Sequence, residues 1–270
     1  MPKTPATKSG STTTTRTPRL KRHGDISVAL GAAGTWLVMV PHDDDAVLGM
    51  GLSIMSARAA GVDVHIAIVS DGRMGFSRQE DRSGIVERRR REMEESSRMI
   101  GVTPDRLHWM GFPDSGLSAH QGCQTRPDGT ITGIAWEMTR VMRQVRPTLV
   151  FAPTSADLHP DHQVVGNELA ISVFHASGAI WLELGEPIPL PRRFDFAVYC
   201  PFPSPPTVEV RAEKAMFQRK LDSIGCFVSQ PQISALVDRV TAAPPVEYLL
   251  EDSWKPYDAS MYRKLFPRGK

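Results

Sequence analysis

Two short polar stretches in this 270-residue chain carry the residue types that metal-assisted hydrolysis needs. The first is the run His-Asp-Asp-Asp at 42–45, and the second is His-Pro-Asp-His at 159–162. Three adjacent carboxylates repel one another in a partly buried crevice unless a cation, hydrogen bonds or protonation compensates them. A divalent metal ion is therefore the first hypothesis for this chain.

The two stretches together can supply the ligands of a catalytic metal. His42 and Asp45 from the first, with one imidazole of the second, either His159 or His162, make a set of two histidines and one carboxylate. Such a set leaves a coordination position open for water and suits catalytic Zn²⁺, although Fe(II) or Co(II) could occupy it equally well. We therefore expect a divalent cofactor, with Zn²⁺ as the first candidate.

Each polar stretch is predicted to lie between a strand and a helix. Apolar residues at 36–40 and 148–152 predict strands, and helical spacing follows at 46–60 and from about 162 to 177. An open parallel α/β sheet binds its ligands just beyond the carboxyl ends of its strands. The two stretches are therefore expected to meet at one edge of the sheet.

The remaining elements extend this alternation of strands and helices. Strands are predicted at 64–69, 107–110, 194–199 and 208–210, and helices at 85–100, 134–145, 211–224 and 234–240. Alternation of this kind implies βαβ units with right-handed crossovers. The predicted fold class is α/β, a single Rossmann-like domain with a mainly parallel twisted sheet flanked by helices.

Composition divides the chain into a tail and one domain. Residues 1–25 form a basic, Thr/Ser-rich stretch that we expect to be a disordered tail, and 26–270 form the domain. Within it, 111–133 is predicted to be a long functional loop, and about 187–270 to wall the substrate cleft. The aromatic residues near the end of the chain could stack on a sugar or simply pack; they are Tyr248, Trp254, Tyr257, Tyr262 and Phe266.

Bulk properties exclude several classes of protein. No apolar run approaches the roughly 18–20 residues that span a bilayer, and no signal-peptide h-region is visible, so we expect a cytoplasmic protein without a membrane partner. Charges on the predicted helix at 85–100 are balanced, which argues against a nucleic-acid partner. The three cysteines form no C-x-x-C pair and are expected to be buried small hydrophobes; they are Cys123, Cys200 and Cys226.

Both polar stretches resemble the signatures of a known family. The segment PHDDDAVLG at 41–49 is similar to the A-H-P-D-D-E-x-x-G signature of the PIG-L/LmbE-like N-acetylglucosaminyl deacetylases, and HPDH resembles their second signature. The resemblance spans about 36–170 and includes Ser-Asp-Gly at 70–72 and R-x-x-E at Arg89 and Glu92. The whole chain further resembles members that act on teicoplanin-type glycopeptide pseudoaglycones.

This resemblance assigns roles to residues of the two stretches. It implies that His42, Asp45 and His162 are the metal ligands. Asp44 would be the general base for the attacking water, and His159 would stabilise the oxyanion.

Further roles follow for residues around these ligands. Asp161 would orient an imidazole, and Arg89 is a candidate for contacting sugar hydroxyls. The chain departs from the signature where Asp43 replaces proline and Ala46 replaces glutamate. Asp43 is expected to supply the lost negative charge or a substrate contact.

The resemblance implies a zinc-dependent hydrolase that removes acetyl from an N-acetylglucosaminyl unit of a glycopeptide antibiotic pseudoaglycone. Its partner would be that small-molecule glycopeptide or another glycoconjugate, and the sequence leaves the oligomeric state open. One alternative substrate is another N-acetylglucosaminyl conjugate, either a thiol precursor or an inositol lipid.

Non-hydrolytic alternatives are a Rossmann nucleotide-binding protein and an interaction protein that retains a metal site. Gly49 and Gly51 resemble the start of a dinucleotide fingerprint, but the third glycine is missing. Asp44 or Asp45 could also simply cap a helix, which would explain one carboxylate but not three.

Overall fold

The computed structural model describes residues 21–23, 30, 34–252, 258–263 and 266. Most of the predicted tail, at 1–20 and 24–25, lies outside these residues, as do Trp254 and Tyr257. Within the predicted tail, Lys21–His23 form a short strand. The expectation of a disordered tail stays a prediction for the rest of that stretch.

The chain alternates strands and helices along most of its length. The strands are β1 Lys21–His23, β2 Thr35–Val40, β3 Asp63–Ser70, β4 Leu107–Phe112, β5 Gln124–Thr125, β6 Ile131–Thr132, β7 Leu149–Pro153, β8 Arg192–Phe196, β9 Val208–Arg211 and β10 Val246–Asp252. The helices are α1 Asp45–Ala59, α2 Ile85–Met99, α3 Ile134–Val145, α4 Pro160–Ser177, α5 Lys214–Ile224 and α6 Ile233–Ala242.

Eight strands form one sheet in the order β1-β9-β10-β8-β7-β2-β3-β4. Neighbouring strands run parallel except around β10, which pairs antiparallel with both β8 and β9. The predicted α/β class with a mainly parallel sheet is therefore confirmed. The sequence analysis missed β10 because the two buried residues of this strand are Glu247 and Leu249. With a charged residue at one of these positions, the strand lacks the alternation of apolar and polar residues that predicts a half-buried strand.

Strand β2 shows why the chain folds into three layers. Trp36, Val38 and Val40 pack with α1, α2 and α5 on one face of the sheet, and Leu37 and Met39 pack with α3 and α4 on the other. A strand covered on both faces is apolar at every position rather than at alternate ones. This explains the continuous apolar run that precedes the first polar stretch.

The order of the strands places a crevice between β2 and β7. From β2 the chain moves outward to β3 and β4, whereas β7 lies on the opposite side of β2 and leads to β8. The carboxyl ends of β2 and β7 therefore flank a topological switch point, where open α/β sheets bind their ligands. The first polar stretch follows the end of β2 at Val40, and the second lies in the connection from β7 to α4.

Several boundaries differ from the predictions. Helix α4 begins at Pro160 rather than near 162, because proline is favoured at the first helical position and His159 serves as the N-cap. The predicted loop at 111–133 contains the end of β4, a 3-10 turn at Leu117–His120 and the hairpin of β5 with β6.

The prediction for the cysteines was wrong. Cys123 is exposed, and Cys200 and Cys226 are partly exposed, so none is a buried core residue. All three carry free thiols.

None of the helices within the described ranges is both long and apolar enough to cross a bilayer.

Candidate active site

The fold brings the three predicted metal ligands together. His42 follows the end of β2, Asp45 is the first residue of α1, and His162 lies in the first turn of α4. The Oδ2 atom of Asp45 is 3.2 Å from Nδ1 of His42 and 3.3 Å from Nε2 of His162. Asp45 and His162 are fully buried, so one carboxylate lies between two imidazoles away from solvent.

Unsatisfied polar atoms indicate that this cluster suits a cation. Among the described residues, Oδ1 of Asp45 and both ring nitrogens of His162 are buried without a hydrogen-bond partner. Oδ2 of Asp45 and Nε2 of His162 are 3.3 Å apart, close enough for an ion pair, but they are not aligned for a hydrogen bond. A buried polar atom left unpaired costs about 1–3 kcal/mol, and carboxylate oxygen with imidazole nitrogen is a donor set typical of divalent metals. The residues present therefore fit a metal ion.

Two groups of three side chains within the described ranges have ligand atoms within 4.8 Å of one another. One is His42 with His159 and His162, and the other is His42 with Asp114 and Asp161. The first group adds His159 to the two predicted imidazole ligands, so His159 and Asp45 compete for the third position. The assignment of Asp45 as third ligand stays a prediction.

Carboxylates surround His42 on both sides of its ring. Its Nε2 atom lies 3.2 Å from Oδ1 of Asp114 and 3.5 Å from Oδ2 of Asp161, opposite the contact with Asp45. Burial lowers the pKa of His42, but hydrogen bonds to Asp114, Asp161 and Asp45 outweigh burial and raise it well above 6.5. A strongly negative environment of this kind favours positive charge at the ring position.

Asp44 is the buried carboxylate next to the predicted ligands. Burial, together with the charges of Asp45 and Asp43, raises its pKa to about 6, although Arg89 opposes this rise. Asp44 occupies the N-cap position of α1, yet its side chain makes no capping hydrogen bond. Capping therefore does not explain why an aspartate stands there.

Asp43 forms an ion pair with Arg89, a buried residue of α2. The guanidinium donates from Nε to both carboxylate oxygens of Asp43, at 2.8 and 3.0 Å, and makes a further close contact through Nη2. Its Nη2 also lies 3.5 Å from Oδ1 of Asp44. The contacts observed for Arg89 are thus carboxylates, and its predicted contact with sugar hydroxyls stays a prediction.

His159 is half-buried at the mouth of the cluster. Its Nδ1 accepts a hydrogen bond from the backbone N–H of Asp161 at 3.2 Å. Burial and the nearby charge of His42 lower its pKa. The neutral ring must then carry its proton on Nε2, which makes that atom a hydrogen-bond donor.

Helix α4 also fixes the segment that follows β4. The carboxylate of Asp161 accepts hydrogen bonds from the backbone N–H groups of Ser115 and Leu117, at 2.8 and 3.3 Å. Two turns further along α4, Glu168 accepts the N–H of Gly122 at 2.9 Å. Asp161 thus combines its contact with His42 with a structural role that the sequence did not indicate.

Sequence reasoning missed three residues of the site. Oδ2 of Asp157 lies 3.3 Å from Nδ1 of His162, and its oxygens accept the N–H groups of His159 and Tyr199 at 3.0 and 3.2 Å. The ring of Tyr199 lies 5.1 Å from that of His162. Asp114, which contacts His42, is the third. All three follow the carboxyl end of a strand, and that shared position was the available signal.

An open cleft of about 160 Å³ leads to the cluster. Its walls come from seven separate segments of the chain. The lining includes His42, Asp44, Arg89, Asp114, His159, Tyr199, Gln230 and Gln232. A small polar ligand could therefore reach Asp44 and the histidines from solvent.

The chain matches a family model and several curated relatives. The model for PIG-L, the GlcNAc-PI de-N-acetylases, matches residues 37–173, which are 137 of the 270 residues. The diacetylchitobiose deacetylase of Thermococcus kodakarensis is 31% identical over 134 residues. That alignment covers 48% of this chain and 45% of the relative, so the chain spans less than half of the relative's length.

Solved structures share the fold at lower identity. The N,N'-diacetylchitobiose deacetylase of Pyrococcus horikoshii is 23% identical with a TM-score of 0.66, over 81% of this chain and 83% of that one. The A40926 pseudoaglycone deacetylase Dbv21 is 21% identical with a TM-score of 0.54, over 80% of this chain and 94% of that one. At this identity the likeness concerns the fold alone. The family match across the strands and helices that carry both polar stretches shows that this chain belongs to the PIG-L family.

Proposed function

We propose that this protein is a metal-dependent hydrolase that removes the acetyl group from an N-acetylglucosaminyl unit. The observation that carries the proposal is the position of Asp45 between His42 and His162, with Asp44 beside it at the edge of an open cleft. Membership of the PIG-L family supports this reaction. The products would be acetate and a free glucosaminyl amine.

In this proposal His42, Asp45 and His162 hold the metal, and Zn²⁺ is the first candidate for its identity. A divalent metal would supply Lewis acidity that polarises the acetamide carbonyl. Asp45 also accepts the backbone N–H of His42 at 2.9 Å, which fixes the carboxylate relative to the ring. The protein thus holds its donor atoms in place through its own hydrogen bonds.

Asp44 is proposed to act as the general base. It is buried, lines the cleft and neighbours the ligand Asp45. The Arg89 guanidinium beside it favours its ionised form, in which it accepts the proton of the attacking water. That proton then becomes available for the departing amine.

His159 is proposed to stabilise the oxyanion that forms when water adds to the acetamide carbon. Because Nδ1 is occupied by the N–H of Asp161, the Nε2–H is the donor left for this role. Asp157 fixes the positions of His159 and His162 relative to each other, because its Oδ1 accepts the N–H of His159 and its Oδ2 faces Nδ1 of His162.

The proposed substrate is a glycopeptide antibiotic pseudoaglycone that carries N-acetylglucosamine. The shared fold with a pseudoaglycone deacetylase supports this choice. Diacetylchitobiose is the second candidate, because a curated diacetylchitobiose deacetylase is 31% identical to this chain over 134 residues.

The test is acetate release from metal-stripped protein before and after addition of Zn²⁺ or Co²⁺, with pseudoaglycone and diacetylchitobiose assayed in parallel. We expect metal-dependent release. Asp44→Asn should retain metal and lose at least about 10²-fold in kcat, because the base is removed. His162→Ala should lose both metal and activity.

Asp105→Asn is the matched control, since Asp105 is an exposed aspartate far from the cleft. It should behave as the unaltered protein. Metal binding without acetate release from either substrate would contradict the proposed reaction, and full activity in Asp44→Asn would remove the proposed base.

A further inference from the structure

A second cavity opens on the same edge of the sheet as the candidate active site. It has a volume of about 730 Å³, within the range of about 300–1,000 Å³ that is typical of small-molecule sites. Its walls come from α1, α5, α6, the segment after β8 and the start of β10. The polar residues at 42–45 and 159–162 do not line it, although Leu48 and Gly49 at the end of the first signature do.

The cavity adjoins the cleft along two elements. Asp44, the N-cap of α1, lines the cleft, whereas Leu48 and Leu52 of that helix line the cavity. These positions are spaced by four and lie on one face of the helix, so the cavity starts about 6 Å along the axis from Asp44. On the opposite wall, Tyr199 lines both spaces and its ring also faces His159 and His162.

The surface of the cavity is mainly apolar. Phe202, Phe217, Leu236 and Val240 line it together with the two leucines of α1. Apolar surface that adjoins a polar cleft is suited to a ligand with one polar and one apolar part.

The charged residues that line the floor of the cavity do not require a ligand of opposite charge. Lys220 and Glu247 are buried and bonded to each other at 2.6 Å, so their charges compensate. Lys220 also donates to the carbonyl of Leu48 at 2.8 Å. Arg239 is the further charged residue of the lining, and it is exposed.

We propose that this cavity binds an uncharged apolar aglycone, alkyl or aryl, attached to the N-acetylglucosaminyl unit in the cleft. The inference rests on the proposed deacetylase function and specifies its substrate class. The sugar lies against Tyr199 with its acetamide toward Asp44, and the aglycone follows the α1 face past Leu48. A purely saccharide substrate would leave the apolar cavity empty.

The experiment compares the methyl and hexyl β-glycosides of N-acetylglucosamine by their kcat/KM for acetate release. Each fully buried methylene contributes about 0.8 kcal/mol, which is about fourfold. We expect the hexyl glycoside to be at least about tenfold the better substrate. Leu236→Trp, which fills the cavity, should bring the ratio of hexyl to methyl kcat/KM close to one.

Ala235→Trp is the matched control, because Ala235 is the exposed neighbour of Leu236 on α6 and is not part of the lining. It should keep the ratio of the unaltered protein. A ratio within about twofold of one in that protein would overturn the aglycone site while leaving the deacetylase proposal intact, as would an unchanged ratio in Leu236→Trp.

A binding measurement separates the two proposals if no glycoside releases acetate. Hexyl β-glucoside, which has no acetamide, is titrated by calorimetry below its micellar concentration. Binding that Leu236→Trp weakens at least about tenfold and Ala235→Trp does not would support the cavity although the reaction failed. Absence of binding, or equal binding by both variants, would overturn it.

Discussion

The buried ion pair beneath α1 should be a main determinant of stability. Glu247 on β10 accepts the N–H groups of Leu52 and Ser53 at 2.9 and 2.8 Å, and the Ser53 hydroxyl at 2.8 Å. Its Oε1 also accepts the ammonium of Lys220 at 2.6 Å. Lys220 is 4% exposed and Glu247 is 6% exposed, so water can replace neither partner.

Glu247→Gln keeps the volume of the side chain but removes its charge. The Lys220 ammonium would then retain only neutral acceptors, the carbonyl of Leu48 and at most the amide oxygen of the substituted side chain. Removal of one partner from a buried ion pair costs about 3–5 kcal/mol. We therefore expect the free energy of unfolding to fall by about 4 kcal/mol.

Lys220→Met should be the milder change. The carboxylate of Glu247 would keep three hydrogen-bond donors from Leu52 and Ser53, so we expect a loss of about 2 kcal/mol. In the double variant no ammonium is left unpaired. Its loss should fall short of the sum of the single losses by at least about 1 kcal/mol.

The assay is urea unfolding at pH 7, followed by circular dichroism, with the m-value unchanged between variants. Glu251→Gln is the control on the same strand. Glu251 pairs with Arg192 at 2.7 Å on the surface, where such a pair contributes about 0–1 kcal/mol. The reasoning is refuted if Glu247→Gln destabilises the protein by no more than Glu251→Gln does.

Two further predictions concern histidines in and outside the site. Asp157→Asn should weaken Zn²⁺ binding by about 10–100-fold, because the carboxylate that faces Nδ1 of His162 is lost. The Kd for Zn²⁺ is measured by competition with a chelator, and an unchanged Kd would contradict this prediction. Burial lowers the pKa of His108 to about 4, so below pH 6.5 the unfolded chain binds a proton that the folded one excludes, and stability falls as the pH falls. Because His108 is partly exposed and solvent screens its charge, His108→Gln should avoid only about 1–2 kcal/mol of this loss at pH 4. Urea unfolding at pH 7.5 and 4 would show parallel losses in both proteins if the reasoning failed.

Local patterns in the sequence were sufficient for most elements of the fold. Helix α3 was predicted with the bounds that the structure shows, at 134–145, because its apolar spacing is regular and Gly133 and Pro147 flank it. Strand β10 was missed, since its inward face carries Glu247, which the distant Lys220 and the donors of Leu52 and Ser53 make tolerable. Periodicity reveals an element when burial follows hydrophobicity, and it fails when a long-range ion pair replaces apolar contact.

The same division applies to the site. The sequence by itself determined the residue types of the two polar stretches and their position after strands, because strand, turn and helix are local in origin. The tertiary structure alone decided which atoms meet: Asp43 with Arg89, His42 with Asp114, and the ring of Tyr199 with that of His162. The physical reason is that these contacts depend on the lateral order of the strands, which is set by packing across the whole sheet.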